Sequence, residues 1–205
     1  WDNSDLKAVG VPSAQEVAIL QPLVDEGLLD ASILTDEATI PPVSATAERP
    51  LDRTNLRAAS ALLDEAGWIA GEDGLRRKDG EVLSVSFLER SPQFDRIINP
   101  IVENLKRLGV DAALERVDPA QFIERSRAGS FDIINASLGQ GYEPGQALAQ
   151  FFGSEAADDS SRNPMRLKLP AADRLIRDIV EAETLEDLTI RTRALDRVLR
   201  AERFW

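Results

Sequence analysis

The sequence predicts an α/β fold: a parallel-containing sheet flanked by helices, followed by a long C-terminal helical segment. Three observations carry this expectation. Residues 82–136 run strand, helix, strand, helix, strand with short connections, the order that gives parallel strands and right-handed crossovers. Before them, GEDG and KDG are turn signals between short strand candidates. After position 170, apolar residues recur at helical spacing.

Taken in order, SAQEVAILQPLVDEG places Val17, Leu20 and Val24 on one helical face, with Ser13 as its N-cap. The following ILTDEATIPPVSATAERP holds Pro41, Pro42 and Pro50 and has no regular period, so it reads as an extended arm. A helix over 53–66 has the stripe Leu56, Ala59, Leu62 and Leu63, and Gly67 stands at its C-cap position. Residues 68–88 form a hairpin whose second strand is Val82–Leu88. Ser91 and Pro92 then start a helix through Ile97, Ile101, Leu105 and Leu108, ended by Gly109. Val110–Val117 is a strand, and Asp118-Pro119-Ala120-Gln121 opens a short helix that carries Phe122 and Ile123 and stops at Gly129. FDIINA (131–136) is the next strand. In the last third, Leu175, Ile176, Ile179 and Val180 mark one helix. Thr184 and Asp187 have capping-box spacing before another, whose face is Leu188, Leu195, Val198 and Leu199.

Composition narrows the function classes. The chain has 205 residues, 43% hydrophobic and 29% charged, and a formal charge of −12. That charge opposes nucleic acid or an anionic membrane as partner, since both are polyanions. No stretch approaches the roughly 20 apolar residues of a membrane-spanning helix. Cysteine and histidine are both absent, so disulfides, the usual zinc sites and Ser-His-Asp or Cys-His pairs are excluded. We therefore expect neither metal nor cofactor. The chain opens on Trp1 without a signal-peptide pattern and stops at RVLRAERFW directly after a helical stretch, which leads us to expect a fragment of a longer protein.

The passage GQGYEPGQALAQFFG (139–153) concentrates glycine. Its Gly139-Gln140-Gly141 begins a dinucleotide fingerprint, but the third glycine arrives one position late and no Walker lysine is present. The alternation places this loop at the carboxyl end of a parallel strand, where open α/β sheets bind ligands. Asn135, Ser137, Gln140 and Tyr142 offer neutral hydrogen-bonding groups and Leu138 an apolar one, a mixture suited to recognition without chemistry. Asp132 and Glu143 keep a carboxylate-dependent hydrolase open as a second reading, although Asp132, at the strand start, is expected to cap or to pair with Arg125 or Arg127. Glu155, Asp158 and Asp159 lack the alternating spacing of a calcium loop.

Several passages, in order, resemble the oligopeptide-type (family 5) extracellular solute-binding proteins of ABC importers. They are NLRAASALLDEAGW with the KDG turn, INPIVENLKRLGVDAALERVD, RSRAGSFDIINA, YEPGQALAQFFGS, SSRNPMRLKLPAADRLI and RALDRVL. The resemblance covers residues 50–205 and is strongest to the peptide-binding subgroup. It implies one lobe of a type II periplasmic-binding-protein fold. Residues 1–50 would be an N-terminal helix and interlobe strap, and residues 51–205 an incomplete C-terminal lobe. It also implies a non-enzymatic role, a peptide or peptide-like solute (alternatively a sugar or nickel chelate), a second lobe from the same protein, a membrane permease partner, and a periplasmic or membrane-tethered extracellular location. The family's cleft-lining passage falls here on Asn135, Ser137, Leu138, Gln140, Tyr142 and Glu143. The family's frequent arginine and tryptophan are replaced by Asn135 and Leu138, and Gln140 stands nearest its ammonium-gripping aspartate.

Overall fold

A computed structural model describes residues 1–41, 51–137, 143–159 and 162–203. The arm over 42–50 and the loop glycines Gly139 and Gly141 lie outside them. Packing gathers the chain into two units, Trp1–Pro41 with Ser137–Trp205, and Pro42–Ala136.

The second unit begins with α2 (Arg53–Glu65), whose N-cap Asp52 accepts hydrogen bonds from the Thr54 and Asn55 amides. Leu56, Ala59 and Leu63 are half-buried, but Leu62 is exposed, so the expected stripe is only partly covered. Three short antiparallel strands follow: β1 (Ile69–Ala70), β2 (Arg76–Lys78) and β3 (Glu81–Val82). The two glycine turns connect them as the sequence suggests. The expected hairpin strand Val82–Leu88, however, is two strands. Its start pairs back on β2, and after Leu83 the chain enters a different sheet as β4 (Ser84–Glu89).

That second sheet is parallel, in the order β5-β4-β6, with β5 spanning Asp111–Arg116 and β6 only Ile133–Ile134. The expected strand over 131–136 is thus cut to two residues, because Asp132 turns its carboxylate to the neighbouring strand instead of continuing the ladder. Its Oδ2 accepts hydrogen bonds from the Ser86 amide at 2.8 Å and the Ser86 hydroxyl at 2.9 Å. The expected partner Arg125 is instead paired with Glu115.

Ser91 and Pro92 start a 3₁₀ turn that leads into α3 (Asp95–Arg107). Ile98 and Val102 are buried against Phe87, Val110 and Ala112, and Ile97 and Ile101 are exposed. The expected helical face is therefore rotated by one residue: 97/101 and 98/102 both satisfy the i, i+4 rule, and packing on the sheet selects 98/102. In α4 (Pro119–Ala128) Asp118 accepts from the Ala120 and Gln121 amides, Phe122 is buried and Ile123 is exposed. Gly67, Gly109 and Gly129 all follow their helices with positive φ. Gly109 is also sterically required, since a Cβ there would lie 2.5 Å from the Gly74 carbonyl.

The first unit is helical. In α1 (Ala14–Asp25) Ser13 and Glu16 form a reciprocal capping box, and Leu20 and Leu23 are buried with Val17 and Val24 at the margin. Helix α5 (Leu148–Phe152) buries Phe152. After the short α6 (Ala156–Asp159), buried Asn163 pins the loop, its Oδ1 accepting from the Leu167 amide at 3.1 Å. Two long helices complete the unit, α7 (Pro170–Val180) and α8 (Leu185–Ala201). Ala171, Ala172 and Ala194 let them approach closely, and Leu175, Ile176, Ile179, Leu195, Val198 and Leu199 fill the core between them and α1. Val180 is exposed at the end of α7. Thr184 caps α8 through the Asp187 amide, as its spacing predicts.

Candidate functional site

The parallel sheet has one end where loops meet, beyond Glu89 on β4, Arg116 on β5 and Ile134 on β6. Register sets the levels: Glu89 lies opposite Arg116, and Leu88 opposite Ile134. Asn135 is the first residue past the ladder on β6, and it is exposed. Ser137 and Glu143, counted with the helical unit, are exposed as well. Leu138, Gln140 and Tyr142 lie outside the described residues. The carboxylate of Asp132 sits at the amino end of β6, occupied by Ser86.

The turn after β4, which the sequence reading passed over, is built with care. Glu89 is 2% exposed. Its Oε1 accepts from the Arg90 amide at 2.7 Å and the Ser91 amide at 2.8 Å, fixing the backbone of the turn. Its Oε2 is buried without a hydrogen-bond partner. The Arg90 side chain leaves this pinned backbone and lies over the ring of buried Phe122, its guanidinium carbon 4.8 Å from the ring centroid. Nothing in the bare string ERSP marks the role, since the stacking partner is 32 positions away on α4.

Around the rim two further arginines are paired with carboxylates. Arg116 binds Asp95, and Arg125 binds Glu115, a contact that holds the Glu115 carboxyl below the usual carboxylate range. Elsewhere, Asp158 is engaged by Lys168, which lowers its pKa, and among the described residues no acidic cluster could hold a metal ion. No helix of the described residues is long and apolar enough to cross a membrane.

Comparison with known proteins assigns this architecture. Residues 21–160 match the family described as bacterial extracellular solute-binding proteins, family 5 Middle. The probable peptide-binding protein YejA of Agrobacterium fabrum is 35% identical over 98% of the chain, which spans 32% of that relative's length. Two solved structures share the fold. The oligopeptide-binding protein AppA of Bacillus subtilis, in complex with a nonapeptide, superposes with a TM-score of 0.62 at 18% identity, over 91% of this chain and 37% of its own. NikZ of Campylobacter jejuni, in complex with Ni(L-His), superposes with a TM-score of 0.63 at 15% identity, over 92% of this chain and 37% of its own. The parallel sheet flanked by helices is that of the type II periplasmic binding proteins, and the chain belongs to the family 5 extracellular solute-binding proteins.

Proposed function

We propose that this chain forms most of the C-terminal lobe of the substrate-binding component of an ABC importer. It holds a peptide or peptide-like solute against a second lobe of the same protein and delivers it to a membrane permease. The role is binding without catalysis, in the periplasm or tethered outside the cell. Residues 1–50 supply the helix and interlobe strap, and Asn135, Ser137, Leu138, Gln140, Tyr142 and Glu143 line the cleft. The observation that carries this reading is the exit of that segment from the carboxyl end of β6 in a parallel sheet, where ligands meet open α/β sheets. Peptide as the solute is supported by the similarity to YejA. A nickel chelate is the second reading, favoured by the fold shared with NikZ.

Each lobe contributes half of the desolvated pocket, so the isolated chain binds far more weakly than the two-lobed protein. Calorimetry tests this. Titrating peptides into the 205-residue chain should give little or no heat, while the full-length protein binds; equal affinities for the two would contradict the lobe assignment.

A further inference from the structure

We propose that the helical unit carries a second, separate site: a cleft for a small zwitterion with an apolar side chain, the chemistry of a free amino acid. The cleft shares no residue with the passage 135–143 and does not depend on the nature of the solute.

Two walls form it. The end of α5 and the turn into α6 make the first, and α7 makes the second through Asp173, Ile176 and Arg177. The volume is about 550 Å³, within the roughly 300–1,000 Å³ of small-molecule sites. Small residues create this space. Ala149, Gly153 and Ala156 line the first wall with nothing larger than a methyl, and Ile176, 4% exposed, supplies an apolar floor.

The walls are tied to each other. Asp173 accepts from the Ser154 amide at 2.8 Å and the Ser154 hydroxyl at 2.6 Å, which fixes the turn onto α7. Buried Asn163 holds the same turn, donating Nδ2 to the Gly153 carbonyl at 3.3 Å. A cleft braced in this way is pre-organised, so an occupant has little ordering to offset.

Two charges decide what fits. Glu155 stands on the first wall and Arg177 on the second, and both are exposed. Neither side chain is engaged by another described residue. Availability alone would single out neither of them; their shared position does, because they border one apolar cleft in which Arg177 is the only cationic lining residue. A simple anion entering there meets Glu155 and Asp173, and a simple cation meets Arg177. A molecule carrying both charges satisfies both walls. Its carboxylate takes two N–H donors of the guanidinium, and its ammonium pairs with Glu155. Exposed ion pairs are weak on their own, and the apolar side chain laid on Ile176 and the alanines adds the burial they lack.

The test is a ligand-observed NMR titration of the full-length protein with L-leucine, N-acetyl-leucine and leucinamide, for wild type, Arg177→Gln and Glu155→Gln. Wild type should bind leucine with a millimolar dissociation constant and each blocked analogue about threefold to tenfold more weakly. Arg177→Gln should weaken leucine by the same factor and no longer distinguish it from leucinamide. Glu155→Gln should no longer distinguish leucine from N-acetyl-leucine. Both replaced groups are exposed, so both variants should unfold at the wild-type temperature and bind peptides as wild type does. No leucine binding by wild type, or unchanged leucine binding by either variant, overturns the site. Peptide binding that falls together with leucine binding overturns its separateness.

Discussion

Each unit of the molecule is laced by a deeply buried arginine, Arg197 in one and Arg76 in the other, and the two are held in different ways. In the helical unit, Arg197 is 1% exposed. It donates Nε and Nη2 to Glu16 at 3.2 and 3.1 Å and Nη1 to the Gly10 carbonyl at 2.8 Å. Glu16 is buried too, and its other oxygen completes the capping box of α1. In the sheet unit, Arg76 gathers the Leu108 carbonyl, the Ser60 hydroxyl and Asp64 at 2.6 Å each, but the Asp64 side chain is 54% exposed. The helical unit has therefore committed an ion pair to its interior, whereas the sheet unit keeps the acidic partner in water. The same contrast runs through the apolar residues. The core around α7 and α8 is closed on many sides, and the sheet core around Phe87 is small and leaves α2 half-covered.

The sharpest way to break this comparison is to remove both arginines in turn. Arg197→Ala strands a buried carboxylate and should cost about 3–5 kcal/mol in urea unfolding. Arg76→Ala leaves Asp64 hydrated and orphans only neutral groups, the Leu108 and Trp68 carbonyls and the Ser60 hydroxyl, so it should cost about 1–3 kcal/mol. Equal costs would mean that the sheet unit is as tightly closed as the helical one. Next in size, Gly109→Ala should destabilise by more than about 1 kcal/mol, because the new methyl meets the Gly74 carbonyl in a left-handed backbone. A variant with unchanged urea midpoint would show that the hairpin can move away from α3.

A matched pair of small deletions probes the cores directly. Ile179→Val on α7 and Ile98→Val on α3 should each cost about 0.5–1.5 kcal/mol, with the first nearer the upper limit because its site cannot collapse. The reverse order in thermal unfolding would contradict the difference in packing. The smallest effect is electrostatic. The Arg200 side chain, then Lys7, holds the Asp2 carboxyl down from 3.8 to about 2. A depressed carboxyl contributes stability above its unfolded value, and that contribution is lost as pH falls from about 4 towards 2. Asp2 is largely exposed, so Asp2→Asn should cost no more than about 1 kcal/mol at pH 7 and nothing near pH 2. A difference that persists at pH 2 would assign the effect to packing.

Local chemistry was legible in the sequence, and long-range chemistry was not. Ser13, Asp118 and Thr184 declare helix starts because a cap and its amides lie within three residues of each other. The parallel sheet followed from the alternation of strand and helix. The face of α3 did not, because two adjacent stripes satisfy the helical period and only the partner sheet chooses between them. Nothing local marks Arg76 or Arg197 as buried, since most of the groups that hold them are distant in the chain. At the candidate site, Asn135 was legible from its place after a strand. Arg90 was missed because it lies in a turn and its stacking partner Phe122 is on α4, distant in the chain.

Hydrogen exchange of the full-length protein, with and without added peptides, tests the central claim that the segment leaving β6 contacts the solute. Exchange across residues 133–143 should slow when peptides are present. Unchanged exchange there, with protection elsewhere in the protein, would contradict it.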